Sequence, residues 1–510
     1  MNVDVFDFLV SNKGKFNCFE RAIISNEFIV RPASDDELSK VHFDKLDCDK
    51  SQKLLLVVTD KNLTDRAQIL VTLDDKQKLV FMTISSNMGL SEETWLCTEI
   101  VEFFRKNFVI DQIFSKSEFP LDETKYLTEI KEDNFVEIKA SHNVSNGMIL
   151  TAGPSITPLE VCYAADAARS GWNSNWKNYL TLFEKEFARF VGAKYAIATS
   201  CCTGAIQISL MALNVGPGDE VLVPDLTWVA SATAIRDAGA TPIFVDVELD
   251  SWNMDAEALA SKITERTKAI VVVHMYGGSA RIDKIMRFAE QNNLKVVEDA
   301  APAIGTKWHG RSAGTFGDFG CYSFQGAKLL VTGEGGMIVT NDNNLYEKAL
   351  KIWDQGRNPS KTFWIDEKGV KFKMSNVQAA LGLAQIQRAE VNIALKRRIF
   401  GWYEKRLGEC EAIDLNKEIP GSQSIYWMTS IRLVGSSRVK RDELIKILRE
   451  NNIDSRPVFP AISQYPIWDV KQQFNQNSKI IGDTSINLPS GVGLSEAEVD
   501  YICNVILQNI

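Results

Sequence analysis

Lys328 stands between an apolar, strand-like run ending at Phe324 and the glycine-rich stretch T-G-E-G-G at 332–336. An amine captures a carbonyl only as the free base, so a lysine with that task has to be partly desolvated. Asp299, with Glu298 beside it, closes the hydrophobic strand of KVVEDA. A carboxylate at the end of a parallel strand faces a cleft, where it can hold a heterocyclic nitrogen protonated and make the ring an electron sink. In A-T-S-C-C-T-G-A, Thr203 and Gly204 lie where small residues lead into a helix. Free N–H groups, the helix dipole and the Thr203 hydroxyl suit an anion there. Ser323 offers another hydroxyl, and Trp228, just past a strand end in P-D-L-T-W, offers an aromatic face for stacking. Singly, these residues have ordinary uses as surface lysine, helix cap, capped helix start and buried indole.

The residues meet only if the elements carrying them share one sheet edge. From about 160 to 345, apolar strands alternate with helices: EVLVPD, a helix over 228–238, TPIFVDV, a helix near 255–264, AIVVVHMYG, a helix through 282–292, and KVVEDA. Buried, β-branched strands in that alternation predict an α/β domain with a largely parallel sheet covered on both faces. Its ligands bind beyond the carboxyl ends of the strands, where four of the segments above terminate. Residues 375–407 have helical periodicity and predict one long helix. YWMTSIRLV at 426–434, the helix of 440–452 and DSRPVF at 454–459 predict a small α/β domain. Together, the four segments predict a pyridoxal phosphate site.

The pattern of residues 1 to about 150 predicts a separate small α/β or α+β unit, with strands at 54–60, 66–73 and 78–85 and a helix over 92–107. The Ser-, Asn-, Gly- and Pro-rich stretch at 139–158 places the boundary near Ile149. The divisions expected are 1–149, a large cofactor-binding domain at 150–390 and a small domain at 391–510.

Hydrophobic residues make up 45% and charged residues 24% of the 510, the balance of a folded multidomain chain. The net charge of −9 argues against a nucleic-acid partner. The opening MNVDVFDFLVSNKGKF lacks a basic start followed by an apolar core, and no apolar run is long enough to span a bilayer. A cytoplasmic location is therefore expected, with no membrane partner. The nine cysteines are scattered without C-x-x-C pairs, which predicts reduced thiols. In residues 1–150 there is no metal-spaced His/Cys cluster, and His42 and His142 are isolated; no metal is expected.

From about 154 to 510 the chain resembles the sugar-nucleotide aminotransferases of the DegT/StrS type. The resemblance runs colinearly through SGW at 170–172, FEKEFARFVGAKYAIATS, GPGDEVLVPDLTWVASATAI, GATPIFVDV, VVVHMYG, EDAA, GTFGDFGCYSF, Lys328, TGEGGMIVTND and MSNVQAALGLAQ. It implies a fold-type-I, pyridoxal-phosphate-dependent homodimer with a large, mostly parallel sheet domain and a small C-terminal α/β domain. Carried over position by position, it implies Lys328 as the Schiff-base lysine and acid–base group, and Asp299 as the pyridinium partner. Trp228 would be the stacking aromatic, and Thr203, Gly204 and Ser323 phosphate ligands. IDSRPVFPAISQYPIW and INLPSGVGLSEAEVDYIC look most like the perosamine-forming members. That implies glutamate as amino donor and a nucleotide-linked 4-keto-6-deoxyhexose as acceptor, in deoxyaminosugar synthesis for a surface polysaccharide such as O-antigen.

Three positions depart from the pattern. Pro302 replaces a hydrogen-bonding residue three places after the aspartate. Lys371, in GVKFKM, replaces the asparagine that reaches the partner subunit's phosphate. Ser463 replaces a histidine after R-P-V-F. Two other readings stay open: a regulatory or scaffolding protein that keeps the cofactor fold without turnover, and a bifunctional enzyme whose first domain acylates the new amine. The element order from 54 to about 130 resembles a GNAT-type acetyltransferase, but SNMGLSEET lacks that type's pyrophosphate loop.

Overall fold

The computed structural model describes residues 144–145, 147–468 and 475–510, and the backbone of five strands between 22 and 86. The chain divides into two compact units, 1–140 and 141–510. In the first, strands Ala22–Ile23, Phe28–Pro32, Gln52–Asp60, Asp65–Leu73 and Leu79–Ser86 form one antiparallel sheet in chain order. The three strands expected from the sequence match the last three of these to within about two residues. The helix expected over 92–107, and with it the acetyltransferase likeness, lies outside the described residues.

The second unit is built on a seven-stranded sheet. Its strands are β1 (Tyr195–Thr199), β2 (Glu220–Pro224), β3 (Thr241–Val245), β4 (Thr267–Val273), β5 (Lys295–Asp299), β6 (Phe319–Ser323) and β7 (Gly336–Thr340). The spatial order is β3-β2-β4-β5-β6-β7-β1, and only β7 runs antiparallel to its neighbours. The helices are α1 (Pro158–Ser170), α2 (Asn178–Val191), α3 (Cys202–Ala212), α4 (Ala230–Asp237), α5 (Ile282–Gln291), α6 (Asn343–Trp353), α7 (Asn376–Gln387), α8 (Ala389–Leu407), α9 (Arg441–Glu450), α10 (Gln476–Thr484) and α11 (Glu496–Asn509).

Both faces of the sheet are covered, as its unbroken apolar strands require. On one face Ile206 and Ile208 of α3, Ile235 of α4 and Ile352 of α6 pack on Val221, Val297 and Ile338. On the other, α2 buries Leu180, Phe183, Phe187 and Val191, spaced three and four apart, as the stripe of an amphipathic helix. Phe187 meets Tyr322 edge-on at 4.9 Å, and Phe183 meets Phe324 at 5.0 Å. Each buried aromatic stabilises the fold by about 1.5–3 kcal/mol.

Helix α7 approaches α2 closely because residue 382 is glycine: a Cβ there would lie 2.4 Å from the Phe183 ring. On an exposed helix, glycine to alanine stabilises by about 1 kcal/mol. Here the sign should reverse, and Gly382→Ala should destabilise by about 1–3 kcal/mol through overpacking, read from the denaturant midpoint. An unchanged or raised midpoint would show that the helices separate freely.

The long helix expected over 375–407 is two helices, broken at Arg388 (φ −108°, ψ 6°). The Arg388 guanidinium turns inward to Glu160 Oε1 at 2.9 Å and to the Ser155 carbonyl and hydroxyl, and Gln385 Nε2 reaches Glu160 at 2.8 Å. This buried network ties α1 to the break, and hydrophobic periodicity carries no trace of it. The smaller sheet contains β8 (Ile413–Leu415), β9 (Ser430–Leu433), β10 (Arg456–Pro457) and β11 (Ser485–Asn487), antiparallel in the order β8-β9-β11-β10. It packs with α8, α9 and α11. The strand expected at 426–434 is shorter because Tyr426 takes a positive φ of 47° and Trp427 leaves the sheet for the cavity described next.

Candidate active site

Parallel strands present their carboxyl ends along one edge, and a cavity of about 430 Å³ lies there. Thr203 at the start of α3, Trp228 after β2, Asp299 at the end of β5, Ser323 at the end of β6, and Lys328 all line it. The four separated sequence segments therefore converge. No cluster of His, Cys, Asp or Glu suited to a metal is present among the described residues.

Glu298 and Asp299 are both buried at the end of β5, but successive side chains of a strand point to opposite faces, so the two carboxylates have different surroundings. Glu298 accepts hydrogen bonds from the N–H groups of Gly314 (2.8 Å), Phe316 (2.6 Å) and Gly317 (2.7 Å) and lies 2.9 Å from His274 Nε2. His274 Nδ1 accepts from the Ala280 N–H, so Nε2 carries the proton donated to Glu298. Glu298 is thus fully occupied in holding the loop that follows β5.

Asp299 faces the cavity. Its Oδ2 accepts from the Ser231 hydroxyl at 2.7 Å, and its Oδ1 accepts from the Ala301 N–H at 3.1 Å. Burial pushes this carboxyl above the usual range, against those hydrogen bonds and the attraction of Lys328. A buried carboxylate supported only by neutral donors is complementary to a cationic ring nitrogen, which would offset the desolvation that raises it.

Lys328 sits in a turn in which its N–H bonds the Gln325 carbonyl at 2.8 Å. Desolvation pushes its amine down to about 8, with Asp299 and Cys202 opposing the shift. Its Nζ lies 3.9 Å from the ring centroid of Trp427, whose indole N–H donates to the Ala327 carbonyl at 2.7 Å. The same indole therefore fixes the backbone beside the lysine and offers a π face to its ammonium form. Trp427 is itself held through its carbonyl by the buried Lys396, which also reaches the Ser490 carbonyl at 2.5 Å.

Trp228 is 57% exposed, so its indole is a free face at the cavity rather than core packing. Thr203 and Ser323 bring hydroxyls to the cavity wall. Gly204 is not part of that wall. Its N–H is directed to Cys201 Sγ at 3.3 Å, and a Cβ on it would lie 2.6 Å from the Phe372 ring. Lys371 is exposed, next to Phe372, whose carbonyl accepts from the Ser200 N–H at 2.7 Å. Pro302 lines the cavity. Ser463 lies outside it, with its N–H and hydroxyl both bonded at 2.7 Å to buried Asp225.

Sequence reasoning did not single out Ser231 or Trp427. Ser231 follows Trp228 by three residues in the first turn of α4, a spacing that offered a usable signal. Trp427 arrives from a segment about a hundred residues downstream of Lys328, and nothing in its neighbours announces it.

Residues 154–507 match the DegT/DnrJ/EryC1/StrS aminotransferase family. GDP-perosamine synthase of Caulobacter vibrioides is 38% identical over 356 residues, covering 69% of this chain and 96% of that protein. Among solved structures, the aminotransferase TlmJ from Streptoalloteichus hindustanus has a TM-score of 0.67 at 28% identity, covering 71% of this chain and 99% of that one. The Spr1654 protein of Streptococcus pneumoniae, in its PLP form, has a TM-score of 0.66 at 26% identity, covering 71% and 100%. The chain belongs to the DegT/DnrJ/EryC1/StrS family, a fold-type-I sugar aminotransferase whose cofactor is pyridoxal phosphate.

Proposed function

We propose that this enzyme moves an amino group from glutamate to the keto carbon of a nucleotide-linked 4-keto-6-deoxyhexose, making a deoxyaminosugar for a surface polysaccharide, and works as a cytoplasmic homodimer. The observation that carries the reading is the meeting of a desolvated Lys328 and a buried, cation-seeking Asp299 in one cavity. The similarity to GDP-perosamine synthase supports the acceptor, with GDP-4-keto-6-deoxymannose the first to test. In this reading residues 150–390 bind the cofactor, 391–510 complete the cleft, and 1–149 has no assigned part.

Pyridoxal phosphate, when bound, supplies a carbonyl for amines and a conjugated ring that takes up the electrons left by a departing proton. Lys328 would hold it through its amine. Nζ, once freed, takes the proton from the donor's α-carbon and, in the second half of the cycle, returns one to the former keto carbon of the sugar. Asp299 would set negative charge against the ring nitrogen, Trp228 would cover a ring face, and Thr203 and Ser323 would receive the phosphate, whereas Gly204, expected from the sequence to share that role, turns its N–H to Cys201 instead. Lys328 is the one cation among the described residues lining the cavity, which favours a second copy supplying another. Lys371, exposed on its own chain, is our candidate for that role.

The test is the absorption spectrum of the protein with pyridoxal phosphate before and after glutamate. Bleaching of the lysine-bound cofactor band and appearance of 2-oxoglutarate are expected. A bound cofactor that no amino donor alters would favour the scaffolding alternative, for which Pro302, offering no polar side chain to the cavity, is the motivating observation.

A further inference from the structure

We infer that Gln325 and Glu334, at the opening of the cofactor cavity, recognise the hydroxyls of the acceptor's hexose ring; this rests on the nucleotide-sugar reading above and deepens it. Both side chains are exposed, and both line the cavity that holds Lys328. What distinguishes them from ordinary surface residues is how much of each is already committed.

The Gln325 carbonyl accepts from the Lys328 N–H at 2.8 Å, and its side-chain Oε1 accepts from the Ala327 N–H at 2.9 Å. The acceptor end of the amide thus closes the turn that carries the lysine. Its NH₂ group has no hydrogen-bond partner among the described residues, leaving two donors in an orientation fixed by the other end. Glu334 is held by its carbonyl, which accepts from the Thr332 hydroxyl and from Gln378 Nε2, each at 2.7 Å. Gln378 is in turn fixed by Ser375 in the capping box of α7. The Glu334 carboxylate makes no hydrogen bond or ion pair among the described residues.

The two positions are joined through the backbone. Gly326 N–H bonds the Gly333 carbonyl at 2.9 Å, Thr332 N–H the Phe324 carbonyl at 2.8 Å, and Phe324 N–H the Gly335 carbonyl at 2.9 Å. The result is an oriented pair of donors and a neighbouring uncommitted carboxylate on one braced backbone platform, a start on the preorganisation that selective recognition needs.

The complement of that arrangement is a group of hydroxyls, each of which both donates and accepts. A carboxylate at the opening disfavours the carboxylates of the amino donor and the phosphates of a nucleotide, which leaves the neutral ring as the matching part. Gln325 and Glu334 would then set affinity for the sugar while standing apart from the proton transfer at Lys328.

Two isosteric variants test this without emptying the platform: Gln325→Glu keeps the oxygen that closes the turn, and Glu334→Gln keeps the shape of the side chain. The wild type is first offered GDP-, dTDP- and UDP-linked 4-keto-6-deoxyhexoses, and whichever it aminates serves as the probe. Each variant should lose about tenfold in kcat/KM for that sugar, the scale on which leaving one polar group of such a pair unsatisfied acts. That loss should exceed by tenfold or more any change in the rate of bleaching by glutamate. Calorimetric affinity for GDP-mannose, which carries hydroxyls but no keto group, should fall in parallel if the GDP sugar is the probe. Equal effects on both half-reactions, or unchanged sugar kinetics, would overturn the assignment and leave the functional reading intact. A wild type inert to all three sugars would overturn both.

Discussion

Replacing Lys328 by alanine should abolish both half-reactions, with rates falling more than about 10⁴-fold, the upper end of what a positioned acid–base group contributes. The expectation is large because one amine has two tasks: it holds the cofactor and it moves the proton. Pyridoxal phosphate should still bind Lys328→Ala without a covalent bond, since Asp299, Thr203 and Ser323 remain, so equilibrium dialysis would separate lost chemistry from lost site. Glutamate should leave that bound cofactor unchanged for hours, and the pyridoxamine form should not react with sugar. Residual turnover within a hundredfold of the wild type would mean that another group carries the proton.

The same lysine sets a pH dependence. Its amine is pushed down to about 8 by desolvation, so below that value the protonated form dominates and cannot attack a carbonyl. Covalent capture of the cofactor by cofactor-free protein should therefore accelerate as pH rises from 6 and level off above about 8, instead of climbing toward the ordinary lysine range near 10.

Asp299→Asn is expected to be the second most damaging change, with a fall of roughly 10²–10³-fold in the glutamate half-reaction, the scale on which one buried electrostatic contact acts in other enzymes. Asparagine preserves shape and can still meet Ser231 and Ala301, so the loss would report charge rather than folding. The decisive comparison is Glu298→Gln, one residue away. Glu298 accepts three backbone N–H groups, and a glutamine cannot accept them all with its single oxygen. That variant should lose about 3 kcal/mol or more of stability. Similar effects of the two substitutions on the half-reaction, at matched stability, would remove the special role of Asp299.

Both carboxylates were visible at the end of KVVEDA, and the alternation of a strand requires that they face opposite ways. Which one faces the cavity depends on helices and loops packed on each side of the sheet, and no pattern within five residues encodes that. The strand ends, the helix start at Thr203 and the turn carrying Lys328 were legible because each is local, and because a parallel sheet necessarily gathers strand ends along one edge. Exposure of Trp228 was not legible, since an indole beside a strand packs inward as readily as outward.

The sequence by itself determined the alternation of elements, the residues at their ends and, through those, the cofactor and the class of reaction. The tertiary structure alone decided the break at Arg388, the indole under Lys328 and the hydroxyl on Asp299. The reason is separation. Arg388 meets Glu160 across 228 positions, Trp427 meets Ala327 across 100, and Ser231 meets Asp299 across 68. Periodicity reports only which face of an element is buried, whereas contacts over such distances depend on how whole layers pack.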